Sequence, residues 1–134
     1  MKDDAQKLLE NLREYRDKHY EVGKSLFQAA GDNVYTLDFL FLAALNRSYC
    51  LLRGFCDLIE SRNFVAAAPL IRLQLDDCLR IAALDLVDDP HSLASAVLGG
   101  KSIRTMKDKN DKRMKDEYLC SHLAKNHPWI RDVS

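Results

Sequence analysis

Residues 69–87 read PLIRLQLDDCLRIAALDLV, a run dominated by Leu, Ile and Ala into which Arg72, Asp76, Asp77 and Arg80 are set at helical spacing. Residues four apart on a helix are neighbours, so Asp76 lies between Arg72 and Arg80 and can bond either guanidinium. A charge buried without a partner costs several kcal/mol, roughly, so charges inside an oily helix are expected in balanced sets. The stretch therefore predicts a helix packed against others, with its ionic groups either locking register or lining a cleft.

Upstream, LDFLFLAALNRSYCLL and the residues around it give a second helix over about Tyr35 to Glu60, apolar around most of its circumference and therefore expected to be central. Ser61-Arg62-Asn63 makes a short turn in which Asn63 can cap the following helix, so the second and third helices are expected to lie antiparallel. Folding that hairpin about Arg62 places Arg47 opposite Asp76 or Asp77. Arg53 and Asp57, four apart, can satisfy each other locally. The candidate polar network or ligand site is thus Arg47, Arg72, Asp76, Asp77 and Arg80.

Before the hairpin, apolar residues recur from Ala5 through Leu8, Leu9, Leu12, Tyr15, His19, Val22, Leu26 and Phe27, one face of a helix that Gly31-Asp32-Asn33 stops. Pro69 lies several residues inside the third helix and predicts a kink there or a later start. That helix should run to about Val87, since Asp88-Asp89-Pro90 ends it. HSLASAVL follows as a shorter apolar piece ending at Gly99-Gly100. The mixed-charge stretch from Lys101 to Glu117 reads as a solvated loop with no clear period until its end, residues 99–112 as a mobile charged loop, and a short helix from about Asp111 or later to Lys125 docks through Met114, Tyr118 and Leu119. Strand signals are nearly absent. The fold class is all-α: a helical bundle of three long helices plus a short C-terminal helix, in a single domain over residues 1–134.

Composition narrows the functions. Lys plus Arg and Asp plus Glu number 20 each, so no overall field draws in nucleic acid or an anionic membrane. The longest apolar stretch is broken by Asn46 and Arg47 before the roughly 20 residues a bilayer span requires, and the acidic start MKDDAQ lacks the apolar core of a secretory signal. A cytoplasmic protein is expected, with Cys50, Cys56, Cys78 and Cys120 as reduced, core-filling thiols. Cys120, His122 and His127 form a zinc-like cluster, but five residues of helix separate the two imidazoles by about 140°. No metal and no cofactor is implied. Arg13 and His19 match the Arg-x(4 to 6)-His pattern of HEPN ribonucleases, a match that chance alone supplies about once in a chain of this make-up. Phosphate loops, nucleophile elbows and His-Glu-x-x-His are missing, so catalytic residues stay unknown. The cluster from Lys101 to Lys115 is a weak nucleic-acid candidate, lacking aromatics for base stacking.

FVAAAPLIRLQLDDCLRIAAL, through Pro69, Leu70, Arg72 and Asp76, resembles the most characteristic helix of an uncharacterised bacterial all-helical family known only as a domain of unknown function. LGGKSIRTMKDKNDKRMKDEYLCSHL resembles the loop and short helix that follow it there. The resemblance implies a HEPN-like bundle whose next helix carries Ser and His, so the domain is expected to be truncated at its C-terminus. The reading that results is a helical interaction or regulatory module that forms a homo-oligomer through uncovered apolar faces. A HEPN-like RNA-processing nuclease or toxin and a bundle binding a small anionic ligand are the alternatives.

Overall fold

The computed structural model describes residues 2–133, with side chains from residue 4 onward. Its elements are α1 (Lys2–Ala30), α2 (Thr36–Glu60), α3 (Phe64–Ala82), α4 (Pro90–Leu98) and α5 (Asp116–Leu123), with 3-10 turns at Ala83–Leu86, Ile103–Thr105 and Pro128–Asp132. The chain is all-helical. Among the described residues the single strand-like feature is one isolated antiparallel bridge, Lys107 to Arg113. Among the described residues no helix is long and apolar enough to cross a membrane.

The boundaries follow local chemistry. Gly31 ends α1 in the left-handed region at φ +59°, the conformation that closes many helices. The Asp38 carboxylate accepts from the Tyr35 backbone N–H at 2.8 Å, half of a capping box at the start of α2. At the other end of α2 the Asn63 N–H returns to the Leu58 carbonyl at 2.8 Å and the Arg62 N–H to Ile59 at 3.0 Å. That paired bonding requires a left-handed residue, and Arg62 occupies the position at φ +58°. Asn63 then caps α3 by accepting from the Ala66 N–H at 3.3 Å.

Pro69 lies inside α3, and the helix continues through it. The carbonyl that its missing N–H would have bonded belongs to Val65, which is exposed and can turn to water. The α-helix stops at Ala82 rather than near Val87, and its last turn tightens into the 3-10 segment that buries Ala83, Leu84 and Leu86. Asp89 caps α4 by accepting from His91 and Ser92 backbone N–H groups, with Pro90 just inside the helix.

The chain divides into two compact units, one of residues 1–34 and 41–75, the other of residues 35–40 and 76–134. In the first, His19 of α1, Ser48 of α2 and Gln74 of α3 meet through hydrogen bonds. Gly23 admits Leu45, and Gly54 admits Leu70, where a Cβ would stand 3.3 and 3.6 Å from the leucine methyls. This unit buries few apolar side chains, namely Leu9, Cys56, Ala67 and Leu75. Along α2, Ala43, Asn46, Arg47, Cys50, Arg53 and Asp57 form an exposed stripe, while the rest of the helix from Phe41 to Ile59 is half-buried or, at Cys56, buried.

The second unit is far richer in buried residues, with Leu79, Met114 and Leu119 sealed at its centre and Leu93, Ile103 and Ile130 around them. The segment after α4 has more anchors than its charged sequence suggests. Ile103 and Met114 are buried, the Met114 N–H donates to Met106 at 3.0 Å, and the Lys109 N–H donates to Leu86 at 3.0 Å. Asp108 organises the turn between them, its Oδ1 accepting the Asn110 and Lys112 N–H groups at 2.9 Å each.

Candidate functional site

Of the five residues singled out in the charged network, Asp76 and Arg80 meet. The Arg80 Nη2 lies 2.6 Å from Asp76 Oδ1, one turn earlier on α3. Arg80 also reaches Asp116 at the start of α5, Nη1 to Oδ1 at 3.4 Å. Asp116 in turn holds Arg104, whose Nε donates to it at 3.0 Å while Nη2 contacts its other oxygen. The result is a chain of alternating charge, Asp76–Arg80–Asp116–Arg104, tying α3, the 3-10 turn at Ile103–Thr105 and α5 within the second unit. Arg80 and Asp116 are only 25 and 20 % exposed, so their charges are mutually required.

Arg72 is exposed on the flank of α3, and Asp76 takes Arg80 as its partner. Asp77 is buried at 8 % exposure while Arg47 is exposed on α2, and each takes part in a polar or electrostatic interaction. Arg104 was hidden in the basic run and Asp116 in mixed charge. Neither stands at helical spacing from Arg80, and so no periodic signal could have joined them.

In the first unit the polar groups form two features. His19 Nδ1 lies 2.6 Å from the Tyr15 carbonyl oxygen, which can only accept, so Nδ1 carries the hydrogen. In the neutral imidazole Nε2 then accepts from the Ser48 hydroxyl at 2.9 Å, while Gln74 Nε2 donates to the same oxygen at 2.7 Å. A hydroxyl against an imidazole can act as nucleophile and base. Ser48 is in mid-helix, however, where backbone N–H groups are committed to the helix and cannot converge on an oxyanion. The trio serves as a lock among three helices.

The second feature is a cleft of about 380 Å³ along the α1–α2 seam, lined by Arg13, Arg16, Tyr49, Arg53, Cys56 and Asp57 among others. Arg13, Arg16 and Tyr20 follow at steps of three and four on α1, and Tyr49, Arg53 and Cys56 at steps of four and three on α2, so each trio shares a helix face. Glu60 pairs with Arg13, and the Arg16 Nε donates to the Arg13 carbonyl at 3.3 Å. Arg53 makes no ion pair among the described residues. Burial pushes the Cys56 thiol above its ordinary pKa, opposed by the positive charge of Arg13 and, more weakly, Arg16. Next to this cleft, and sharing Arg16 and Tyr49 with it, is another of about 480 Å³ bordered by Tyr20, Leu42 and Leu45.

Among the described residues no group of three or more His, Cys, Asp or Glu is placed to hold a metal ion. His122 stands 3.9 Å from Asp85, and His127 is exposed. Comparisons with protein-family models, with curated proteins and with solved structures find no match.

Proposed function

We propose that this chain is a helical interaction module that assembles with a second copy of itself, using the apolar flank of α3. The observation that supports this reading is the exposure of that flank. Phe64 and Ile71, two turns apart on one face, are 59 and 53 % exposed, Ala68 lies exposed between them, and Val65 is 88 % exposed. A unit that buries so few apolar side chains of its own leaves this surface uncovered, and a contiguous apolar patch marks an interaction site. A second copy is the occupant that fits: the chain has 20 positive and 20 negative side chains, so no field selects an oppositely charged partner, whereas an apolar stripe is self-complementary about a two-fold axis.

Within this reading α2 and α3 form an antiparallel hairpin, supported by the opposed order of Ser48 with Gln74 and Gly54 with Leu70. The setting is the cytoplasm, a reading supported by four scattered cysteines with no Cys-x-x-Cys spacing in the sequence. The nuclease alternative gains no support from geometry, since Arg13 is held by Glu60 and His19 by Ser48 and Tyr15.

Sedimentation equilibrium tests the proposal. The wild-type chain is expected at twice its monomer mass at micromolar concentration, and Ile71→Glu combined with Phe64→Ser at the monomer mass with an unchanged helical circular dichroism spectrum. A wild-type chain that stays monomeric up to about 100 µM, well above the dissociation constants of stable dimers, would sink the idea.

A further inference from the structure

The cleft between α1 and α2 has the makings of an anion site that the self-association reading does not use. Three guanidiniums, from Arg13, Arg16 and Arg53, line a space with one carboxylate, Asp57. Glu60 compensates Arg13, which leaves the cleft with surplus positive charge. The planar fork of arginine matches the oxygens of phosphate and carboxylate, and several forks around one space favour a dianion over a monoanion. The volume of about 380 Å³ is that of a small-ligand pocket.

The space is also continuous in its lining with a less polar neighbour, which Asp17, His19 and Asn46 border on its polar side. Arg16 and Tyr49 border both clefts, and beyond them come Tyr20, Leu42 and Leu45. His19 meets Tyr49 edge-on, with ring centroids 6.3 Å apart, which orients the tyrosine at the junction. A ligand that spans the junction would therefore carry its charge at one end and an apolar body at the other.

We propose that the α1–α2 seam binds a small organic phosphate, its phosphate held by Arg16 and Arg53 and its apolar body laid past Tyr49 toward Tyr20 and Leu42. Arg53 is the first responder, because it is exposed on α2 and makes no ion pair among the described residues. Arg16 has its Nε committed to the Arg13 carbonyl and offers its two terminal nitrogens. The site lies within one copy of the chain, so it stands or falls independently of dimer formation.

The test is calorimetric titration of the full chain with phenyl phosphate, inorganic phosphate and benzoate. Phenyl phosphate is expected to bind with one-to-one stoichiometry and more tightly than either of the others, since only it offers both a dianion and an apolar body. Losing one charge-assisted contact weakens binding by about tenfold or more, so that is the effect expected for Arg53→Gln and for Arg16→Gln. Arg113→Gln, at an exposed position in the other unit, should leave the affinity unchanged. Arg53→Gln alters an exposed side chain and keeps the test decisive if Arg16→Gln fails to fold. No saturable binding of phenyl phosphate at millimolar concentration, or equal affinity in wild type and Arg53→Gln, overturns the proposal. Inorganic phosphate binding as tightly as phenyl phosphate overturns the assignment of the apolar half.

Discussion

The guanidinium of Arg80 stands between two carboxylates, and the more distant of them, Asp116 at 3.4 Å, belongs to a helix that begins 36 residues further along the chain. The two side chains are three-quarters and four-fifths shielded from water. Removing Asp116 would leave Arg80 with Asp76 alone and would release Arg104. Asp116→Ala is therefore expected to destabilise the chain by about 1–3 kcal/mol, the cost of an imperfectly satisfied charged group, read as a lower urea midpoint at unchanged slope. Arg104→Ala, at a side chain 57 % exposed, should cost clearly less, because solvent screens an exposed ion pair. Equal losses for the two variants would show that the pair nearer the surface is not the weaker one.

Asp108 and Tyr118 form a second long-range clasp, with the phenol donating to the carboxylate at 2.7 Å. That bond, reinforced by the Lys112 and Asn110 backbone N–H groups, holds the Asp108 carboxyl below its usual range and raises the Tyr118 phenol above its own. The signs fix a pH window. A carboxylate with a lowered folded pKa stabilises above the unfolded value of about 3.9, and that contribution is lost as pH falls through the folded pKa; a phenol with a raised one stabilises below about 10, and the contribution is lost as pH rises through its folded pKa. Tyr118→Phe should lower stability between these limits and flatten its pH dependence at both ends, measured as melting temperature against pH. A variant whose acid limb matched wild type would separate Asp108 from Tyr118.

Two of the left-handed positions, Arg62 and Gly100, give opposed expectations. Arg62 bears φ +58° with a side chain, a conformation that costs an L-residue roughly 1–2 kcal/mol, part of which glycine gives back in chain entropy. Arg62→Gly is thus expected to be neutral or stabilising by up to about 1 kcal/mol. Gly100 has φ +92° with nothing within 4 Å of where a Cβ would be, so Gly100→Ala should destabilise through backbone strain alone, by about 1 kcal/mol. Chemical denaturation of both variants checks the pair, and a stabilised Gly100→Ala would contradict the geometry.

Much of the helical layout could be read from residue patterns. Gly31, Asn63, Asp89 with Pro90, and Gly99-Gly100 each punctuate the chain where backbone chemistry requires it, and the Asp76–Arg80 pair follows from a four-residue step. The misses have physical reasons. The oily composition of α3 suggested burial, yet Phe64, Ile71 and Arg72 are exposed, because hydrophobicity reports what would gain from cover and not whether this chain supplies it. The partners Asp116 and Arg104 are distant in sequence, and no period links them to α3. The arginine cleft was equally hidden: Arg13 stands out only in a chance Arg-x(4 to 6)-His match, and only the approach of α2 brings Arg53 and Tyr49 beside Arg13 and Arg16.

The uneven distribution of buried side chains has a consequence during synthesis. A ribosome releases α1, α2 and most of α3 first, while Leu119 and Ile130, which help seal the better-filled unit, emerge later. At translation speeds of about 5–20 residues per second, the more apolar α2 and most of α3 precede that unit by several seconds, in a unit with little of its own to bury them. In that interval a chaperone, or a neighbouring nascent chain on the same message, would meet the uncovered flank of α3 before the finished protein does.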